Sequence, residues 1–338
     1  MYKRLFLTTI VWFLLVGALL AQDLERYSFS SNHMGTRFNI VLYTDNESVA
    51  SQASKEAFAR IEELNQIMSD YLEDSELNRL AKTSGSGEAV KVSEDLFTVL
   101  QESIRMAKMT DGLFDITIGP MSKFWRVVRM SPEPELPSNE ELEELRQKVG
   151  YKYIKLNEKN RTVELLKPGM QLDLGGIAKG YAAEEALAVI RTHGIEKALI
   201  DAGGDVTLGD MPPGRDTWDV AVPKNKTRGE NSFITLQVTN RTVTTSGDLF
   251  QFVVIDGERY SHILNPKTGL GATRQIQATV ISPDGMQADA LASVLTLMDP
   301  EDGIELVNGL DHTEAIIFMN DGGNILEWYS VNSRMYLK

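Results

Sequence analysis

The 338-residue chain contains no cysteine. Disulfides, thiol nucleophiles, cysteine metal sites and lipid attachment through a cysteine are therefore excluded, and the chain is indifferent to the redox state of its compartment. Histidine is scarce, with four in the whole chain. Positive charge is also short: 34 Lys and Arg stand against 48 Asp and Glu, a net charge of −14, or −16 if Lys3 and Arg4 are removed with the leader described below. Such an acidic surface argues against nucleic acid as a partner, because phosphate backbones need clustered Lys and Arg. Any phosphate this chain binds must be met locally. No long low-complexity tract interrupts it, and 42% hydrophobic content at this length allows a substantial core, as one large domain or two intimate ones.

The N-terminus has the grammar of an export signal. Lys3 and Arg4 precede a run from Leu5 to Ala21 that is apolar apart from Thr8 and Thr9, and Ala21 before Gln22-Asp23 offers a small residue for cleavage. Leu19 stands where cleavage prefers a small residue, and the run is long enough to span a bilayer, so residues 1–21 are read as either a signal peptide or an uncleaved anchor. The expectation is an exported protein on the periplasmic side of the inner membrane. It is soluble if the signal is cleaved, membrane-associated through its N-terminus if not, and not a lipoprotein.

Periodicity gives a mixed α+β chain with mainly antiparallel pairing. Phe38, Ile40 and Leu42 alternate as in a strand, and Glu47 to Met68 places Ala57, Ile61, Leu64 and Met68 at helical spacing. Ser93 caps a helix predicted to reach Met109 and stop at Asp111-Gly112. Residues Ser131 to Gly150, with Pro132, Pro134, Pro137 and a run of glutamates, read as an acidic, proline-rich insertion carrying an exposed helix. The second half predicts a strand from Val163 to Leu174, a helix from Ile177 to Thr192 and a strand from Lys197 to Asp201. Strands between Trp218 and Ile263, a helix from Asp284 to Met298 and a terminal pair of strands follow.

Asp173-Leu-Gly-Gly-Ile-Ala-Lys-Gly-Tyr181 is the most informative stretch. Glycines let backbone approach a bulky anion, N–H groups at a helix start attract negative charge, and Lys179 adds a full positive charge, which suits a polyphosphate. Such turns are also common packing devices. In the last helix Asp289 and Ser293 are four apart and share one face, so a carboxylate and a hydroxyl can meet one hard cation. Equally, Asp289 would favour the helix dipole and Ser293 would be a small packing residue. His262, before the Pro266-Lys-Thr-Gly269 turn, suits a general base near neutrality or an ordinary hydrogen-bonding role. Asp248 is its rival, or the acid of an Asx turn after Gly247. Tyr71 and Phe114 would serve as a shelf for an aromatic ligand or as core aromatics.

Further segments complete an ordered set: Met34-Gly-Thr36, Ser69-Asp-Tyr71 through Ser75-Glu76, Thr110-Asp-Gly-Leu-Phe-Asp115 and Asp201-Ala-Gly-Gly-Asp205. Thr245-Ser-Gly-Asp248, Ser261-His-Ile-Leu-Asn-Pro-Lys-Thr-Gly269 and Ala288-Asp-Ala-Leu-Ala-Ser293 continue it. From about residue 30 to the C-terminus this set resembles the ApbE family of FAD:protein FMN transferases. The resemblance implies a two-lobed ApbE-type fold over residues 22–338. It also implies Mg²⁺-dependent transfer of FMN from FAD to a Thr or Ser hydroxyl of an exported acceptor, either a redox-complex subunit or a flavin-carrying domain, with release of AMP. It places FAD on Met34, Tyr71, Leu113, Phe114, Asp115, Asp173, Lys179 and Ile263. Mg²⁺ falls on Asp289, Ser293 and the Gly176 carbonyl, with serine where the family usually has threonine. From the residues themselves, an FAD pyrophosphatase yielding FMN and AMP, a non-catalytic periplasmic FAD carrier and a purely structural exported protein stay open.

Overall fold

A computed structural model describes residues 24–224, 233–247 and 251–338. Residues 1–21, read above as a signal peptide or anchor, and Asp248 lie outside the described residues. Among the described residues, fifteen strands run in chain order as β1 (Glu25–His33), β2 (Thr36–Thr44), β3 (Val90–Lys91), β4 (Ile154–Asn157), β5 (Thr162–Leu165), β6 (Ala198–Ala202), β7 (Val206–Leu208) and β8 (Trp218–Pro223). They continue as β9 (Phe233–Val238), β10 (Thr242–Gly247), β11 (Phe252–Ile255), β12 (Glu258–Ser261), β13 (Gln275–Ser282), β14 (Glu314–Asp321) and β15 (Asn324–Tyr329). Eight of them form one sheet in the order β1-β2-β6-β7-β10-β13-β14-β15, and its ladders are antiparallel.

Side chains alternate across this sheet. Phe38, Ile40, Leu42, Ala278, Val280, Ala315 and Ile317 point to one face, where helices Glu47–Met68, Ala178–Thr192 and Gly285–Leu295 pack. Val41, Val243, Ile281, Ile316 and Phe318 point to the other, where the β8–β9 hairpin covers them with Trp218, Val220, Val222, Leu236 and Val238. Burial on both faces explains the continuous apolar run Ala315-Ile-Ile-Phe318 in β14. Among the described residues no helix is long and apolar enough to cross a membrane.

Local signals fall where the chemistry requires. Asn46 accepts from the N–H of Ser48 and Val49 to start the Glu47–Met68 helix, and Ser93 accepts from Leu96 N–H at 3.2 Å to start Glu94–Met109. That second helix stops where Asp111 and Gly112 adopt positive φ. In the acidic insertion, Ser138 and Glu141 form a reciprocal capping box on helix Asn139–Arg146, which buries only Leu142.

Two expectations change. The strand predicted from Val163 to Leu174 ends at Leu165, because Pro168 has no N–H to continue the ladder and Gly169 turns the chain at φ +75°. Beyond that turn, Gln171 makes an isolated parallel bridge to Ile118, and Asp173 N–H bonds Ile116 C=O at 2.8 Å. The last long helix ends at Leu295, and a separate helix, Pro300–Asn308, starts at the Asp299 cap. Gly119–Met130 is also a helix, opened by Pro120 in its first turn. It packs Met121 and Trp125 against Ile255, Tyr260 and Leu264, which fixes the β11–β12 hairpin opposite the glycine loop.

Candidate active site

Between that helix, the Leu113–Ile118 turn, the Asp173–Gly176 loop and the segment after β12 lies a cleft of about 270 Å³. Its lining mixes the apolar Leu113, Phe114, Ile116, Ile118, Ile263, Leu264, Val294 and Leu297 with the charged Asp70, Asp115, Arg126, Arg129 and Asp173.

The floor joins three elements. Lys179, in the first turn of its helix, places Nζ against Asp205, in the loop between β6 and β7, and 3.4 Å from Asp289 Oδ1 on helix Gly285–Leu295. Gly180 N–H donates to Asp289 Oδ2 at 3.1 Å. These helices can meet so closely only because position 180 is glycine: a Cβ there would lie 2.0 Å from the Gly285 carbonyl oxygen. Burial alone would lower the Lys179 ammonium, but the two carboxylates outweigh it and keep it charged. Burial pushes Asp205 up to about 6, with Lys179 opposing and Asp289 adding. One turn along from Asp289, Ser293 Oγ lies 3.2 Å from Ser246 Oγ, and a Cβ on Gly176 would stand 3.6 Å from Ser293 Oγ.

The wall is built on Arg126. It pairs with Asp70, approaches Asp173 Oδ2 at 3.7 Å and stacks its guanidinium 3.9 Å from the ring centre of Tyr71, which is 76% exposed. Asp173 uses its other oxygen to accept from Gly175 N–H at 2.9 Å, which ties down the glycine turn. Asp115 is buried and occupied: Oδ1 accepts from Thr117 N–H and Oγ–H at 2.9 and 2.6 Å, and Oδ2 from Tyr151 N–H at 2.8 Å. Its carboxylate shapes the turn that presents Leu113 and Phe114 to the cleft.

His262 stands at the rim. Its Nδ1 lies 3.0 Å from the Gln251 carbonyl, which has no proton to give, so Nδ1–H is the donor and the neutral ring carries its lone pair on Nε2. Burial holds the imidazole below its ordinary pKa; the Gln251 bond opposes this, while the charges of Arg129 and Lys179 add to it.

The family model for the ApbE family matches residues 34–317. The chain belongs to the ApbE family. It is similar to the FAD:protein FMN transferase of Vibrio cholerae, 29% identical over 302 residues that cover 88% of this chain and 89% of that protein. A protein of the same name from Haemophilus influenzae is 28% identical over 303 residues, covering 88% and 87%. Among solved structures, the flavin transferase ApbE of Vibrio cholerae matches with a TM-score of 0.84 at 27% identity, covering 93% of this chain and 100% of that one. The ApbE protein of Thermotoga maritima matches at 0.81 and 28%, with the same coverage. The mixed, mainly antiparallel architecture is thus the ApbE fold, and the chain is an enzyme of this transferase family.

Of the residues singled out from sequence, Tyr71, Leu113, Phe114, Asp115, Asp173, Gly176, His262, Ile263 and Ser293 all line the cleft. Lys179 and Asp289 lie beneath it, engaged with each other. Met34 is elsewhere: it sits at the β1–β2 hairpin tip with φ +48°, in a surface depression shared with His33, Glu62 and Asn65. Sequence reasoning passed over Arg126, Arg129, Ser122 and Gln251, and gave no role to Asp205 and Ser246, which lie within the motifs quoted above. Ser122, Arg126 and Arg129 were findable, being spaced four and three apart on one helical face.

The floor fits a hard divalent cation, though by mixed donors. Among the described residues no three His, Asp or Glu side chains cluster as a metal cage. Two carboxylates share one ammonium, which leaves negative charge in excess, and the hydroxyls of Ser246 and Ser293 add neutral oxygens.

Proposed function

We propose that the enzyme transfers FMN from FAD to a Ser or Thr hydroxyl of an exported acceptor protein, in a Mg²⁺-dependent reaction that releases AMP. The observation that carries this reading is the neutral His262, its lone pair on Nε2, at the rim of a cleft with an oxygen-lined, negatively charged floor. The apolar residues of the cleft take the flavin ring, and the Asp173–Gly176 loop lies where phosphate would approach backbone N–H. His262 Nε2 accepts the proton of the acceptor hydroxyl as its oxygen bonds the FMN-side phosphorus. The bond from that phosphorus to the bridging oxygen breaks, and AMP leaves with that oxygen. Mg²⁺, held by Asp289, Ser293 and the Gly176 carbonyl, would supply charge neutralisation at the phosphates. Placement on the periplasmic side follows from the leader at residues 1–21 and belongs to the same proposal.

The test is to incubate the chain with FAD and Mg²⁺, with and without a candidate exported flavoprotein, and follow AMP and acceptor mass. Acceptor that gains one FMN with matching AMP supports transfer. FMN and AMP formed equally without acceptor would replace the reading with a pyrophosphatase, and intact FAD throughout would replace it with a carrier.

A further inference from the structure

Arg126 and Arg129 face the same cleft in different circumstances. Arg126 is fully engaged, by Asp70, Asp173 and the Tyr71 ring. Arg129 Nη1 is shut away from solvent with no hydrogen-bond partner, and no ion pair to this residue occurs among the described residues. The carboxylates that line the cleft are committed elsewhere: Asp70 to Arg126, Asp173 to the glycine turn and Arg126, Asp115 to Thr117 and Tyr151. Arg129 is half-buried, but its Nη1 is cut off from water without an acceptor, which is unfavourable in the ligand-free protein, and an anion in the cleft would complete it.

We infer that Arg129 is the anion receptor of the cleft, taking a phosphate oxygen of the flavin nucleotide and making the site select phosphorylated flavins over uncharged riboflavin. This rests on the flavin-transferase reading above. A guanidinium presents forked donors that match phosphate, and the same cleft also carries apolar residues, Leu113, Phe114 and Ile263 among them, that suit the ring. The positive charge of Arg129 already reaches His262 and helps to hold it neutral. Phosphate on Arg129 would lie in the same cleft as the base and screen that charge.

The experiment titrates the full chain with FAD, FMN and riboflavin in EDTA, where metal-dependent turnover is blocked, comparing wild type with Arg129→Gln and Arg129→Lys. Arg129→Gln is expected to weaken FAD and FMN by about 10- to 100-fold while riboflavin changes by less than about twofold, with Arg129→Lys between. Ligand-free Arg129→Gln is expected to melt no lower than wild type, since an unpaired buried charge is gone. A parallel loss for all three flavins, or a lower melting point with unchanged selectivity, would overturn the inference in favour of a structural role. Unchanged FAD affinity with a raised KM for acceptor would assign the anion to the acceptor and also overturn it. A folded wild type that binds no flavin sinks the transferase reading together with this one. A wild type that transfers FMN, beside an Arg129→Gln of unaltered selectivity, sinks this one alone.

Discussion

On the floor of the cleft two carboxylates, Asp205 and Asp289, share one ammonium, whereas on the wall Asp70 and Asp173 face two guanidiniums and pair with only one of them. The floor is short of positive charge and the wall has a cation to spare. Their construction differs too. Floor residues come from separate elements clamped by the Gly180–Gly285 approach, so the charges are held rigidly out of water. Wall residues sit on one exposed helix and a loop, beside the solvent-exposed Tyr71. The contrast suits a site that must take a cation on one side and an anion on the other.

Lys179→Met should break the floor most severely. It leaves two buried carboxylates facing each other without a counter-ion, and urea unfolding should show a loss of about 3–5 kcal/mol. A loss below about 1 kcal/mol would mean the floor is wetter than its burial indicates. Asp289→Ala removes the innermost oxygen pair while leaving Lys179 and Asp205 matched. AMP release in Mg²⁺ should fall by about 100- to 1000-fold with the fold intact by circular dichroism. Unchanged turnover with tight Mg²⁺ binding would take Asp289 out of the site. Gly180→Ala tests the clamp itself: a methyl 2.0 Å from the Gly285 carbonyl oxygen must push the helices apart, at a cost of about 1–3 kcal/mol in thermal or urea melts. The same substitution at Gly204, where a Cβ would meet nothing within 4 Å but φ is +107°, isolates backbone strain from crowding.

The last test concerns pH. Glu184, next to the clamp, accepts from Gly285 N–H at 2.7 Å, and burial pushes its carboxyl up to about 7, against an ordinary 4.5. Between those values the folded state holds a proton that the unfolded state has lost, so Glu184 makes stability fall as pH rises from about 4.5 to 7. Glu184→Gln keeps an oxygen for Gly285 N–H but cannot ionise. Its melting curve should be flatter across that window, with a gain at pH 8 relative to pH 5 of up to about 2–3 kcal/mol. Parallel pH profiles for variant and wild type would show that Glu184 does not titrate there.

Much of the site was legible as motif. Asp289 and Ser293 fall on one helical face because 3.6 residues make a turn, and Lys179 opens its helix where the glycines place it. What resisted reading was pairing. Nothing local tells that Lys179 is spent on Asp205 and Asp289, since Asp205 is 26 residues away and Asp289 is 110. Gly119–Met130 was hard to read for a related reason: its apolar residues turn toward a hairpin more than a hundred residues later, and its polar face is kept for the cleft.

By itself, the sequence determined the absence of thiol chemistry, the mixed antiparallel class, the helix cap at Ser93, and the family to which the ordered motifs point. These follow from composition and from interactions within a few residues. The tertiary structure decided where the Val163 strand stops, which face of β13 meets which layer, that Met34 lies away from the cleft, and that Arg129 faces it without a partner. Each of these depends on long-range packing and on the balance of charges brought together from distant parts of the chain, and neither is written in the local order of residues.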